Sequence, residues 1–316
     1  MVGVEDAREF FLHDPYVLLN LEATEAARDE VALLWYDDLH ETDQRLIDDA
    51  FADVDALFAG RVAGYRACST PYHSVGHTML ITVAMARILD GARRSGVCDA
   101  SAAVPGLLAA LYHDSGYIQD AGNDSEVALS DHERRSVDQL MRFCASARID
   151  GPTTTLAVSA IARRPEPRRD ASDIGPSASD ADADATDREP TLATMLLYAD
   201  LLGQMADRAY LEKLLLLYDE FRRTGVDAYR SEIELLRGTA GFYGSIAKRS
   251  RGRLDQVSGY LRAHFADRAG AARDLYSEYV GKNMDYLASL LTIYRDEYRD
   301  RLRRLPTDPN GLPLAN

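Results

Sequence analysis

Cysteine is scarce in this chain of 316 residues: Cys68, Cys98 and Cys144 lie far apart and form no CxxC. An odd count at such spacings excludes a disulfide scaffold or a thiolate zinc site and fits reduced thiols, so a cytoplasmic protein is expected. Long apolar runs are also missing. Leu107–Tyr112 and Leu211–Tyr218 fall short of the ~18 residues that a membrane helix needs, and no membrane partner is expected. The first ten residues carry Glu5, Asp6 and Glu9 in place of the basic start and apolar block of a signal peptide. Positive charge is in deficit, with 36 basic residues against 51 acidic and a formal net charge of −15. That balance argues against binding a nucleic-acid duplex or an anionic membrane. Lysine is nearly absent, at Lys213, Lys248 and Lys282; the Arg-over-Lys bias matches either a high-GC genome or salt adaptation. No hairpin is signalled, because the Asn-Gly and Asp-Gly pairs of the chain stand outside any sustained period-2 alternation, which removes most β architectures.

What is present is helical periodicity. It predicts helices near Val4–Leu19, Thr24–Leu39, Asp43–Phe58, Pro71–Arg94, Ala102–His113, Ser125–Ala147, Thr153–Ala162, Thr191–Met205, Asp207–Thr224, Asp227–Lys248, Gly252–Phe265 and Ala271–Arg303. The expected fold class is all-α. The expected layout is an N-terminal helical extension over 1–64, a core domain over 65–304 and a tail over 305–316. Thr70-Pro71 reads as an N-cap followed by a first-turn proline, placing a helix start there. Between core helices, Arg163–Pro190 holds four prolines and seven acids from Asp170 to Glu189. Too few large apolar residues occur there to offset ordering entropy, so the 164–190 stretch is expected to be an acidic disordered insertion.

Four of the seven histidines, His73, His77, His113 and His132, fall within one 60-residue window. On a helix beginning at Pro71, His73 and His77 share a face at i and i+4. Two imidazoles so placed can share a metal, or one can bind metal while the other handles protons. His113-Asp114 closes an apolar helix, where a carboxylate is costly unless it is paired or bound to metal. His13-Asp14 has the same dipeptide but is followed by Pro15 and has no histidine partner, so it reads as a decoy. Asp200 interrupts the apolar stretch Leu192–Leu202 and is expected to point inward. Nitrogen and oxygen donors without thiolate suit Mn²⁺, Mg²⁺, Fe²⁺ or Zn²⁺.

In this order, His77, His113-Asp114 and Asp200 resemble the H…HD…D signature of the HD-domain superfamily of metal-dependent phosphohydrolases. Tyr72-His73-x-x-x-His77 is similar to a segment of cyclic-nucleotide phosphodiesterases. The resemblance runs over roughly Tyr65–Gln204 and implies an HD-domain-like helical bundle. It implies His77, His113, Asp114 and Asp200 as metal ligands and His73 as general acid, with Asp114 also available to orient or deprotonate water. The implied activity is phosphomonoester or phosphodiester hydrolysis on a nucleotide or related small phosphorylated substrate. A homodimer is left open.

The pattern also departs from its relatives. Tyr117 stands where the cyclic-nucleotide enzymes carry a further histidine, and the GYP and HDxxED motifs of other HD hydrolases are missing. Only His132 lies between His113-Asp114 and Asp200, so one full metal site is expected rather than two. His132 is itself a candidate catalytic residue, and Glu126 a weaker one. Arg66, Arg134 and Arg135 are candidates to clamp a phosphate. The cluster Lys248, Arg249, Arg251 and Arg253 either faces substrate or decorates a helix end. Two rival readings stand beside the hydrolase. One is an HD-fold di-iron oxygenase cleaving a C–C or C–P bond, the other a degenerate HD sensor or scaffold.

Overall fold

The computed structural model describes residues 19, 21–122, 131–162, 190–249, 251–294 and 297–305, and leaves the side chains of 244–251 aside. Twelve α-helices are found among the described residues: α1 (Thr24–Trp35), α2 (Glu41–Phe58), α3 (Val75–Arg94), α4 (Ala103–Tyr112), α5 (His132–Ala147), α6 (Gly151–Ala162), α7 (Leu192–Met205), α8 (Tyr210–Arg223), α9 (Glu232–Arg249), α10 (Arg251–Ala269), α11 (Leu275–Thr292) and α12 (Tyr298–Arg301). The only extended pairing among them is an isolated bridge between Tyr65 and Asp120. The chain is all-α, as its periodicity predicts.

Helix α3 organises the bundle. Every residue from Gly76 to Ala92 is buried, as expected for a helix apolar around its whole circumference. It is flanked by α1, α4, α7 and α10. At Gly91 a Cβ would stand 1.9 Å from the Tyr260 carbonyl oxygen, so α3 and α10 approach backbone to backbone where no larger residue fits. Helices α1 and α2 put Trp35, Ile47 and Phe51 into the same apolar cluster as Met85 and Leu107. The indole Nε1 of Trp35 also donates to the Ala86 carbonyl on α3, at 3.3 Å.

Two charges interrupt this apolar helix, and both are paired across helices. Arg87 donates to Glu30 of α1 at 2.8 Å and to the Tyr276 hydroxyl of α11 at 3.1 Å. Asp90 accepts from His264 of α10 at 2.7 Å and from Arg94 at 2.7 Å. Burial works to raise the Asp90 pKa, but these donors outweigh it and hold the carboxyl at about 2.

Several expected boundaries move. Helix α3 begins at Val75, not Pro71, because Ser74 is the N-cap and its Oγ accepts from the His77 amide. Thr70 instead donates to the His73 carbonyl at 3.1 Å, closing a turn. The amides of Tyr72 and His73 both go to the Glu220 carboxylate, so a distant side chain and not the Thr70 hydroxyl takes these donors. His73 therefore precedes the helix, and its i, i+4 relation to His77 is not one of a shared helix face. Helix α5 begins at His132, so that histidine is the first helical residue rather than one to two turns in. The expected single helix Ala271–Arg303 is two: α11, capped by Asp274 through the Ser277 amide at 3.1 Å, and the short α12. The expected helix Val4–Leu19, the His13-Asp14 pair and Glu126 lie outside the described residues. So do the 305–316 tail beyond Leu305 and the acidic stretch except Pro190.

Candidate metal centre

Three segments converge at one end of the bundle. The first turn of α3 carries His77, the turn closing α4 carries His113 and Asp114, and the middle of α7 carries Asp200. His77, His113 and Asp114 are buried and offer ligand atoms all within 4.8 Å of one another. His113 Nε2 lies 3.1 Å, and His77 Nε2 3.3 Å, from Asp114 Oδ2. Asp200 Oδ1 completes the group at 3.6 Å from His77 Nε2, with 17% of its side chain exposed. All four residues expected as ligands are thus brought together.

The tautomer of His113 follows from its other nitrogen. Nδ1 lies 2.8 Å from the Ala110 carbonyl oxygen, which can only accept. Nδ1 therefore carries the proton, and the Nε2 lone pair is directed at the cluster, as in metal-ligating histidines. His77 Nε2 is buried with no hydrogen-bond partner. Burial pushes its pKa below the ordinary histidine value, with Asp114 opposing, which favours the neutral ring that a ligand needs. A buried imidazole nitrogen facing two carboxylates and a second imidazole is a donor set that could hold a divalent cation.

The turn that presents His113-Asp114 is held from below. Ser115 donates to the Tyr112 carbonyl at 2.8 Å, and the Gly116 amide donates to Ser136 at 2.9 Å. A Cβ on Gly116 would stand 1.9 Å from the His132 carbonyl oxygen; only glycine lets α5 begin so close. Arg135 donates to the Gly116 carbonyl at 3.0 Å and to that of Ile118. It therefore braces the turn instead of clamping a phosphate. Arg66 and Arg134 are exposed, occupied by the Ala121 carbonyl and by Asp138, and none of the three lines the cavity described next. Arg253 donates to Thr194 at 3.5 Å, while Lys248, Arg249 and Arg251 have side chains outside the description.

Above the cluster opens a cavity of about 510 Å³, lined among others by His73, His77, Asp114, Tyr117, His132 and Asp200. His73 is held by a residue that sequence reasoning missed. Glu220 of α8, with 2% of its side chain exposed, receives His73 Nδ1 at 2.7 Å. Burial disfavours the charged ring, but the Glu220 carboxylate outweighs it, so His73 titrates above the ordinary histidine value. Tyr117 is stacked on His73, ring centroids 4.0 Å apart, and on His132 at 4.8 Å. His132 lines the cavity but stands outside the four-residue group.

A second unforeseen relay reaches Asp200. Gln204 donates from Nε2 to Asp200 Oδ1 at 3.0 Å, and its Oε1 accepts from the Tyr72 hydroxyl. Glu220 and Gln204 each left a faint trace in the sequence, a polar residue on the inward stripe of an apolar helix. Nothing in the sequence indicates their partners.

No family model matches this chain, and neither a curated protein nor a solved structure matches it.

Proposed function

We propose that this protein is a metal-dependent phosphohydrolase acting on a phosphomonoester or phosphodiester, with a nucleotide or related small molecule as the first substrate class to test. The observation that carries this reading is the convergence of His77, His113 and Asp114 within 4.8 Å, with Asp200 beside them, under a cavity that also holds an acid-paired histidine. The resemblance of these residues, in this order, to the H…HD…D signature of the HD-domain superfamily supports it.

His77, His113, Asp114 and Asp200 would hold the cation. A divalent ion held there would lower the pKa of water and polarise a phosphoryl oxygen. Asp114, at the floor of the cavity, orients the attacking water and takes its proton. The Glu220 carboxylate fixes the Nδ1 proton of His73, which leaves Nε2 to carry the transferable one. As the new P–O bond forms opposite the breaking one, His73 gives that proton to the leaving oxygen. Tyr117 keeps the His73 ring in plane by stacking on it.

A di-iron oxygenase needs a second cluster of ligands, and among the described residues one group is found. A degenerate sensor or scaffold has no need of an intact buried donor set. Metal analysis of the purified protein tests all three: one divalent ion supports the hydrolase, two irons the oxygenase, none the scaffold. A phosphatase and phosphodiesterase panel on metal-stripped protein, with Mn²⁺, Mg²⁺, Fe²⁺ and Zn²⁺ added separately, then tests the reaction; no turnover with any ion sinks the proposal.

A further inference from the structure

The cavity has two unlike sides. Besides the polar cluster, Leu214, Leu217 and Phe221 line it from α8, Leu235 and Phe242 from α9, and Tyr229 from the segment between them, with Tyr210 and Thr239 on the same helices. The spacings are those of one helix face in each case, i, i+3, i+7 on α8 and i, i+7 on α9. Such faces normally close on one another, yet here they border an open space of about 510 Å³. Voids in a packed protein interior are seldom much larger than a water molecule, whereas ligand pockets run to about 300–1,000 Å³. Leu217, Tyr229 and Phe242 line it and are only half-buried. A tetrahedral phosphoryl group at the donor cluster fills a small part of this volume.

The chain itself indicates which part of a substrate meets that wall. Glu220, which fixes His73, is followed at once by Phe221 and preceded by Leu217 three positions earlier. One turn of α8 therefore both holds the proton donor and supplies the apolar surface. The leaving oxygen receives its proton from His73, so the group attached to that oxygen lies beside α8. We propose that this wall binds a flat, apolar leaving group, and that the substrate is an ester of a single phosphoryl group with an aromatic or comparably apolar alcohol. The inference rests on the phosphohydrolase reading. In the reaction it implies, water adds to phosphorus, the P–O bond to the alcohol breaks, and the products are the free alcohol and inorganic phosphate.

Equilibrium binding tests this without turnover. The full chain loaded with Mn²⁺ is titrated calorimetrically with 2-naphthylmethylphosphonate, with methylphosphonate and with 2-naphthylmethanol. Burying the aromatic surface predicts that the naphthyl phosphonate binds on the order of 100-fold tighter than methylphosphonate. Leu217→Ser and Phe242→Ser, at half-buried positions, should each cut that advantage about 10-fold and leave methylphosphonate binding unchanged. Equal binding of the two phosphonates by the wild type overturns the inference while sparing the hydrolase reading. So does an equal loss for both in the variants. If naphthylmethanol binds and is lost in the variants while neither phosphonate gains from the metal, the apolar subsite stands and the hydrolase reading falls.

Discussion

His73 and Glu220 lie 147 positions apart in the chain, yet Nδ1 of one sits 2.7 Å from Oε2 of the other, with both side chains largely shielded from water. His77, four residues after His73, turns Nε2 to Asp114 and Asp200. The two histidines border one cavity with different surroundings, and different losses follow from removing them. His77→Ala should lower metal affinity by orders of magnitude. His73→Ala should spare the metal and slow turnover by ~10²–10⁴, the usual contribution of general acid catalysis. The deficit should shrink for a nitrophenyl ester, whose leaving oxygen needs no proton. Metal content and rates on both ester types decide it; if His73→Ala loses metal as badly as His77→Ala, both are ligands.

Glu220→Gln tests the electrostatic half of the pair. Burial alone pushes the His73 ring toward its neutral form, and the carboxylate reverses that. Without the negative charge the ring should lose its proton at lower pH, and the falling limb of the pH–rate profile should move the same way. Ring proton chemical shifts of His73, followed by NMR titration of the metal-free protein, report the change independently of turnover. An unmoved titration would mean that Glu220 only anchors the backbone amides of Tyr72 and His73.

Asp200 is more exposed than His77 or Asp114, so as a proposed ligand its orientation depends on what holds it. Gln204→Leu removes the amide that donates to Oδ1 while keeping the side chain's bulk. Partners of this kind are typically worth 10–100-fold in metal affinity, and a loss of roughly that size is expected in chelator-buffered Mn²⁺ titrations. Tyr72→Phe, one bond further out, should cost less. Wild-type affinity in Gln204→Leu would remove the relay from the site.

The sequence made the helices and the four clustered donors legible for one reason. A polar residue in an apolar helix, such as Asp200, or a His-Asp closing one, breaks a pattern that local physics sets. What stayed hidden was tertiary. Thr70-Pro71 satisfies every local rule for a helix start, yet the Thr70 hydroxyl turns to the His73 carbonyl while Glu220, far away in sequence, holds the amides of Tyr72 and His73. The cavity wall from α8 and α9 shows the same limit. Its residues read as ordinary core, and only the packing reveals that they line a cavity.

The buried pair of Arg87 and Glu30 gives a stability prediction away from the site. Arg87 has 1% of its side chain exposed and Glu30 9%. Arg268 also reaches Glu30, at 3.2 Å. Arg87→Met strands much of the Glu30 charge and the Tyr276 hydroxyl between α1, α10 and α11. Removing one member of a buried pair typically costs about 3–5 kcal/mol. Urea unfolding should show a loss of that order with an unchanged slope. A loss under about 1 kcal/mol, the level of an exposed pair, would mean that water reaches the guanidinium.

His264 makes the remaining prediction, on pH. Its Nδ1 donates to Asp90 at 2.7 Å, and its Nε2 is buried without a hydrogen-bond partner. Adding a proton would bury a charge on an unpaired nitrogen. Burial, with Arg87 adding to it and Asp90 and Glu30 opposing, lowers the ring's pKa below the ordinary value. In the unfolded chain the same ring titrates near ~6.5. Below that value the unfolded state binds more protons than the folded one, so this group's share of stability falls as pH falls. His77, also lowered, acts in the same direction, and His73, raised, acts against it. Comparing wild type with His264→Asn, which keeps a donor for Asp90, isolates the one residue. The unfolding free energy of the metal-free variant should change less between pH 7 and pH 5 than that of the wild type. Equal slopes would mean that His264 titrates alike in both states, and a steeper slope in the variant would mean that the ring is charged in the fold, with Asp90 overcoming its burial.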